Sequence, residues 1–95
     1  MTPSEKYVLR LYVTGLTPRS TRAMKVVREV LDTHLSGHFD LEIIDVYQMP
    51  ERIKADDVVA IPTLVRHKPG PVRRIVGDMS DRERLLMGLG LPLDD

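Results

Sequence analysis

The stretch YVLRLYVTGLTPRS, residues 7–20, decides the fold of this chain. Its first part, residues 7–13, is almost continuously apolar and rich in β-branched and aromatic side chains, a pattern typical of a strand that is covered on both faces. Gly15 then interrupts the pattern, and Thr17-Pro18 supplies a helix N-cap with proline at the first helical position. The sequence therefore predicts a central strand that leads through a short loop into a helix.

The predicted helix is amphipathic and long. Its charged residues lie mainly on one side, and its apolar residues recur at helical spacing on the other until Gly37 ends the pattern. The apolar positions are Ala23, Val27, Val30, Leu31 and Leu35. A second apolar run, Leu41 to Val46, predicts another buried strand, and a strand–helix–strand order with so long a helix implies a right-handed parallel crossover.

The second half of the chain begins with a weaker pattern and then predicts a hairpin. Pro50 opens a short helix that continues to Val58. Two apolar runs, residues 58–65 and 72–76, flank the turn cluster Pro69-Gly70-Pro71, an arrangement typical of an antiparallel β-hairpin.

A last helix is expected to begin at Ser80. Ser80 and Glu83 match the capping box, in which each of the two side chains satisfies a free backbone N–H group. Gly88 and Gly90 weaken this helix by about 0.8 to 1.0 kcal/mol each relative to alanine. On that ground Gly88→Ala is predicted to favour any state in which position 88 is helical.

Together these elements follow the order β-α-β-(α)-β-β-α, with a mixed sheet flanked by helices. This is the thioredoxin-like α/β layout. In that layout a cis-proline commonly opens the third strand and faces the loop after the first strand, and Ile61-Pro62-Thr63 stands at that place. We therefore expect a cis peptide bond before Pro62.

Composition excludes several classes of function. The chain has 95 residues, with 14 Lys and Arg against 14 Asp and Glu, so its net charge of zero favours neither nucleic acid nor an anionic membrane as a partner. It contains no cysteine, which rules out disulfides, thiolate nucleophiles and dithiol redox chemistry. No apolar run approaches the roughly 20 residues of a membrane span, and the first residues lack the pattern of a secretory signal. We expect one cytoplasmic domain over residues 1–95.

Two hydroxyls stand where thioredoxin-like enzymes carry two thiols, at Thr17 and Ser20. In the simpler interpretation they cap the helix. In the alternative interpretation they serve, with Tyr12 and near Pro62, a small glutathione-binding or transferase-like enzyme, because a hydroxyl at a helix N-terminus can bind or activate a thiol.

Other polar residues are assigned no chemistry. His34 and His38 lack a third ligand at metal-binding spacing, so we expect neither a metal site nor a cofactor. The adjacent carboxylates Asp56 and Asp57 point in different directions on regular structure, which is more typical of a solvated segment than of an acid/base pair.

Four segments resemble the KaiB family of circadian clock proteins, namely residues 7–23, 44–46, 61–64 and 71–89. The last of them, PVRRIVGDMSDRERLLMGL, is similar to the KaiB pattern at nearly every position, and the resemblance extends over essentially the whole chain. The sensor domain of the clock histidine kinase SasA also has a similar fold, although it is only the N-terminal part of a longer chain. A detached SasA-like sensor domain, which would regulate a kinase through the same KaiC surface, is therefore the second alternative function.

The resemblance implies a non-enzymatic clock or timer protein that binds the ring of the KaiC ATPase and modulates its phosphorylation and ATPase cycle. The KaiB family is known for fold switching, between a tetrameric ground state with a rearranged C-terminal half and a monomeric thioredoxin-like state that binds KaiC. KaiA or a SasA-like histidine kinase is implied as a further partner or competitor, and self-association into dimers or tetramers is implied as well.

Candidate partner-binding residues also follow from the resemblance. Arg22 and Arg74 match arginine positions of the family. Further charge on an exposed face is expected from Lys54, Arg66 and Arg73.

Conformational roles in fold switching are expected for Tyr7, Pro62, Pro69, Pro71, Gly88 and Gly90. Two positions depart from the family pattern: Gly90 stands where many KaiB sequences carry Asp, and Gly70 stands in the middle of a usual triple proline. Because these departures place the contacts of the ground-state tetramer in doubt, we expect this relative to rest mainly in the thioredoxin-like state.

Overall fold

A computed structural model of the protein describes residues 6–15, 17–77 and 79–92. The elements, in chain order, are β1 (Tyr7–Val13), α1 (Pro18–His34), β2 (Phe39–Asp45), α2 (Arg52–Ala55), β3 (Thr63–Lys68), β4 (Arg73–Val76) and α3 (Arg82–Leu89). This is the predicted order of strands and helices, with β1 at the predicted residues.

The four strands form one mixed sheet in the order β2-β1-β3-β4. β1 runs parallel to β2 and antiparallel to β3, and β3 runs antiparallel to β4. The parallel crossover and the hairpin are therefore both confirmed, and the architecture is the expected thioredoxin-like one.

The two faces of the sheet are covered differently because side chains alternate along each strand. On one face, Leu9, Leu11 and Val13 of β1 pack in a large core with the apolar sides of α1 and α3. On the other face, a smaller cluster gathers the side chains Tyr12, Ile44, Val46, Val58 and Val65. Among the described residues, the one-turn helix α2 and its loops pack against this cluster through Met49, Ile53 and Ile61, and charged side chains lie beside it.

Two local signals in the sequence are confirmed. Thr17 is the N-cap of α1, and its hydroxyl accepts a hydrogen bond of 3.3 Å from the backbone N–H of Ser20. The peptide bond between Ile61 and Pro62 is cis, as are the bonds before Pro69 and Pro71.

Several boundaries differ from the prediction, and β2, for example, spans Phe39–Asp45 rather than residues 41–46. β3 begins at Thr63 rather than at residue 58, since Val58 instead donates its backbone N–H to Ile53 and closes the turn after α2. For the same reason α2 ends at Ala55, before Val58. α3 is capped by Asp81, not Ser80: the Asp81 carboxylate accepts a hydrogen bond of 3.2 Å from the backbone N–H of Arg84, and the helix begins one residue later.

Helix α3 approaches β4 so closely that Gly88 has no room for a side chain. A Cβ atom at position 88 would lie 2.6 Å from both Cγ1 and Cδ1 of Ile75, and Ile75 is itself buried in the core. The helix-propensity argument for Gly88→Ala is therefore reversed in this fold, because the cost of the clash exceeds the gain in propensity.

We predict that Gly88→Ala lowers the free energy of unfolding of this fold by about 1 to 3 kcal/mol, the cost of overpacking a core. Urea denaturation followed by circular dichroism measures this change. Met87→Ala, at the exposed neighbouring position of the same helix, is the matched control and is expected to have little effect. Equal or greater stability of Gly88→Ala would contradict the close approach.

Candidate interaction surface

The sheet face opposite α1 and α3 carries a row of charged side chains. The strand register places Arg10 of β1 opposite Glu42 of β2, and Val65 of β3 between Arg10 and Arg74 of β4. Alternation along β3 puts His67 on the same face as Val65. We call this surface the charged face; its residues are Arg10, Glu42, Arg52, Asp56, His67 and Arg74.

Asp56 is the centre of the charged face, although its own side chain is only 3% exposed. The Tyr12 hydroxyl donates a hydrogen bond to Oδ2 of Asp56. The Nη1 atom of Arg10 lies 3.2 Å from Oδ2, and the Nε2 atom of His67 lies 3.0 Å from Oδ1. A buried carboxylate remains ionised only with such partners, and here they come from two neighbouring strands.

These contacts set the protonation states of the pair formed by Tyr12 and Asp56. Burial by itself raises the pKa of the Asp56 carboxyl, but hydrogen bonds from Tyr12, Arg10 and His67 outweigh it and hold that pKa below its usual range. Burial, reinforced by the hydrogen bond to Asp56, raises the pKa of Tyr12 to about 12. At neutral pH, Tyr12 is therefore a permanent donor and Asp56 a permanent anion.

A second ion pair extends the network to the sheet edge at β2. The guanidinium of Arg52 makes two hydrogen bonds to the Glu42 carboxylate, at 2.9 and 3.0 Å. The hydrogen bond from Arg52 holds the pKa of Glu42 below its usual range. Since Nε of Arg10 lies 3.6 Å from Glu42, Arg10 bridges this exposed pair and the buried carboxylate of Asp56.

Arg74 is held by the backbone of the loop that follows α2. Its Nε atom donates a hydrogen bond of 2.8 Å to the backbone carbonyl of Asp56, and Nη2 lies 3.9 Å from the carboxylate of Asp57. The side chain is 38% exposed, so part of the guanidinium reaches the surface in a restrained orientation. Lys54 is exposed two residues before Asp56.

The structure separates the candidate binding residues. Arg74 contacts the backbone of Asp56, and the exposed Lys54 is two residues before Asp56 in the chain. Arg73 is adjacent to Arg74 in β4 and therefore points to the opposite face of the sheet. Arg22 is exposed on α1, which packs on that opposite face as well. These five residues therefore do not form one basic patch.

The expectation that Arg66 adds charge to an exposed face is wrong, because Arg66 is only 7% exposed. Its Nη1 atom donates to the backbone carbonyl of Leu89 at 3.0 Å, and Nη2 donates to that of Pro71 at 3.2 Å. A carbonyl in the last turn of a helix lacks an intrahelical donor, and a cation at that end also interacts favourably with the helix dipole. Arg66 thus anchors the C-terminus of α3.

Two of the candidate conformational residues lie at the same helix end. The Tyr7 hydroxyl donates a hydrogen bond of 3.4 Å to the carbonyl of Leu89, beside Arg66. Gly90 follows with φ of 74°, a left-handed conformation that ends the helix and places its N–H on the carbonyl of Met87. Tyr7, Arg66 and Gly90 together form what we call the α3 anchor.

The sequence interpretation of Asp56 as a solvated carboxylate is wrong, and it missed the network around it. Two signals pointed to the network: Arg10 interrupts an otherwise apolar central strand, and a buried Tyr12 hydroxyl needs a partner. The sequence pattern alone did not indicate that Asp56 is the partner of both side chains.

The hydroxyls at the start of α1 have local roles. Ser20 is fully buried, and its Oγ atom accepts a hydrogen bond of 3.0 Å from the backbone N–H of Thr14. Thr17 caps the helix, as described above. Tyr12 points its hydroxyl toward Asp56 instead of toward this helix end.

The two histidines considered for metal binding both line a shallow cavity of about 660 Å³ beside Tyr7 and Pro69. Within residues 6–15, 17–77 and 79–92, no three His, Asp or Glu side chains are grouped as potential metal ligands. In the same part of the chain, no helix is both long and apolar enough to cross a membrane.

Known structures define the class as thioredoxin-like. The N-terminal domain of Synechococcus elongatus SasA superposes with a TM-score of 0.73 at 23% identity, over 95% of this chain and 89% of that one. The thioredoxin Deadhead of Drosophila melanogaster also gives a TM-score of 0.73, at 16% identity over 92% of this chain and 81% of that one.

Sequence comparison defines the family. The KaiB domain model matches residues 10–91. The circadian clock oscillator protein KaiB of Prochlorococcus marinus (strain MIT 9313) is 48% identical over all of this chain and 80% of its own length. The protein of the same name from Synechococcus sp. (strain RCC307) is 50% identical over 96% of this chain and 83% of its own. The chain belongs to the KaiB family.

We predict that Asp56 makes stability depend on acid pH. Because its pKa is lowered in the folded state, its contribution is complete above the unfolded-state pKa of about 3.9 and is lost as pH falls through the folded-state value. Asp56→Asn is expected to lower the free energy of unfolding at pH 7 by about 2 kcal/mol, as for hydrogen bonds to a charged group. The variant should also lose less stability than the wild type between pH 5 and pH 2.

Urea denaturation across this pH range measures both effects. Asp57→Asn is the control, since it removes one negative charge at the adjacent position, where the side chain is 88% exposed. Identical pH profiles for the wild type and Asp56→Asn would show that the buried carboxylate is not the responsible group.

Proposed function

We propose that this chain, acting as a single domain over residues 1–95, is a non-enzymatic partner of a KaiC-type ATPase ring in a circadian clock or related timer. It binds the ring and modulates its phosphorylation and ATPase cycle. Family membership over the whole chain supports this function. The structural observation that carries it is the charged face, where Arg74 is both restrained and partly exposed.

Restraint matters because an interface gains more from a side chain that is already oriented. Arg74 carries a planar guanidinium suited to carboxylates and backbone carbonyls of a protein partner. Lys54, exposed in α2 two residues before Asp56, is the second positive charge of the proposal. The binding residues of this proposal are accordingly Arg74 and Lys54, with Arg22 and Arg73 available only to contacts elsewhere on the molecule.

The contacts at the start of α1 disfavour the alternative of a glutathione-dependent enzyme. Ser20 is buried with its oxygen engaged by Thr14, and Thr17 is engaged as the N-cap. The Tyr12 hydroxyl is committed to Asp56. The hydroxyls of Tyr12, Thr17 and Ser20 thus each already have a hydrogen-bond partner, which disfavours their use in activating a thiol, and the chain has no cysteine of its own.

A SasA-like histidine kinase or a KaiA-type protein is the proposed competitor or further partner. The thioredoxin-like fold shared with the SasA N-terminal domain supports competition, because similar folds present similar surfaces to one ring. The two sequences are 23% identical, so what they share is the fold.

Fold switching of the C-terminal half is part of the proposal, with the thioredoxin-like state as the main resting state rather than a dimer or tetramer. α3 has only eight residues, and the α3 anchor holds its end to the sheet through Tyr7 and Arg66. The burial of Leu85, Leu86 and Leu89 in the core also holds it. Loss of the anchor's hydrogen bonds is expected to shift the balance toward release of α3.

Charge reversal at Arg74 tests the binding surface. We expect Arg74→Glu to weaken binding to a KaiC-type ATPase by about tenfold or more, since it replaces an attraction with a repulsion. Arg28→Glu, an equal charge change on the exposed side of α1, is the control and should bind as the wild type does. Affinity is measured by titration with fluorescence anisotropy after circular dichroism has verified folding. Unchanged affinity of a folded Arg74→Glu removes Arg74 from the site, and failure of the wild type to bind refutes the function.

Removal of Arg66 from the α3 anchor tests the proposed fold switching of the C-terminal half. Arg66→Met removes the shorter of two hydrogen bonds to the Leu89 carbonyl and the bond to the Pro71 carbonyl, so residues 82–89 are expected to lose helical chemical shifts in a measurable fraction of molecules. Arg73→Met is the matched control, because Arg73 pairs with Arg66 in the sheet register but is exposed. NMR spectra of both variants decide the point. Full retention of the α3 helix in Arg66→Met would refute the role of the anchor.

A further inference from the structure

The loop that joins α2 to β3 is fastened to the sheet at one residue, Asp56. Its carboxylate contacts Arg10 and Tyr12 of β1 and His67 of β3. The Tyr12 hydroxyl also lies 3.1 Å from the backbone carbonyl of Arg52, within hydrogen-bond distance. The position of both α2 and the loop therefore depends on groups that are buried beneath them.

The backbone of this loop in turn orients Arg74. The acceptor for Nε of Arg74 is the carbonyl of Asp56 itself, at 2.8 Å. A carbonyl can restrain a guanidinium only as firmly as the carbonyl is itself restrained. The contacts of the Asp56 carboxylate supply that restraint, because they fix the side chain of the residue whose backbone carbonyl binds Arg74.

We propose that Asp56 is a positioning residue of the partner-binding surface: its buried carboxylate sets the orientation of Arg74 and the place of α2, without touching the partner. The inference rests on the proposed function only for the identity of that surface. The partner is a protein with carboxylates or backbone carbonyls where Arg74 meets it, because these groups match the planar donors of a guanidinium.

A purely stabilising role for Asp56 predicts something different. In that case Asp56→Asn makes the fold less stable but leaves Arg74 in place in every folded molecule. A positioning role predicts that folded molecules retain the sheet while Arg74 loses its fixed orientation. The two roles are separated by observing the Arg74 side chain directly.

The first measurement is NMR of the Arg74 Nε–H group in the free protein at neutral pH. In the wild type we expect a dispersed signal that exchanges slowly with water, because this hydrogen is bonded to a carbonyl. In Asp56→Asn the exchange should accelerate by roughly tenfold and the signal should move toward that of a solvated arginine. Asp57→Asn is the matched control and should leave the signal unchanged, because exposed ion pairs contribute little.

Tyr12→Phe guards against a failure of Asp56→Asn to fold. It removes one donor to the carboxylate while keeping the aromatic ring in the core. We expect a smaller acceleration of Arg74 exchange in the same direction. An unchanged Arg74 signal in the folded variants overturns the proposal.

The second measurement is a double-mutant cycle with a KaiC-type ATPase. Asp56→Asn and Arg74→Ala are each expected to weaken binding by roughly tenfold, and the double variant should bind no more weakly than either single one. Additive losses would show that Asp56 does not act through Arg74 and would overturn the proposal.

The two measurements fail separately. If Arg74→Ala binds as tightly as the wild type, the proposed function loses its contact residue and the positioning of a binding surface is overturned with it. The NMR result then still decides whether Asp56 orients Arg74. If the NMR result is negative while Arg74→Ala weakens binding, the proposed function stands and the role of Asp56 is refuted.

Discussion

The carboxylate of Asp56 is buried, and an ionised group in the interior needs hydrogen-bond donors from the protein to replace the water it has lost. Tyr12 and Arg10 of β1 provide them, and His67 of β3 lies within ion-pair distance of the same carboxylate. This requirement explains why β1 carries Arg10 and the Tyr12 hydroxyl on one face, while its other face is apolar apart from the hydroxyl of Tyr7 at its start. It also explains how a loop without regular structure keeps a defined place on the sheet.

The sheet thus has two faces with different tasks. One is the core beneath α1 and α3, whose stability comes from apolar burial. The other is only partly covered, since α2 is a single turn, and its exposed part is polar and charged. The fold is the one found in thioredoxins, but the chain has no cysteine and therefore cannot carry out dithiol exchange.

The C-terminal helix has a separate set of constraints. Gly88 permits close packing on Ile75, and Gly90 permits the turn that ends the helix. Arg66 and Tyr7 then share the carbonyl of Leu89. None of these contacts involves the charged face, so the docking of α3 and the orientation of Arg74 are governed by different residues and are separable by mutation.

Sequence alone determined what depends on near neighbours. The apolar run of residues 7–13, the N-cap Thr17 and the turn cluster near Pro69 act over a few residues, and the strands, the first helix and the hairpin followed from them. The cis bond at Pro62 also followed, but only once the layout had been recognised.

Tertiary structure alone decided what depends on distant residues. Asp56 meets Tyr12 across 44 positions, and Arg66 meets Leu89 across 23, so neither the buried carboxylate nor the buried guanidinium left a local pattern. The clash at Gly88 arises from a side chain of another element and reverses a correct statement about helix propensity. Periodicity and capping report the conformation of one segment, whereas the burial of a charge and the room for a methyl group are properties of the space between segments.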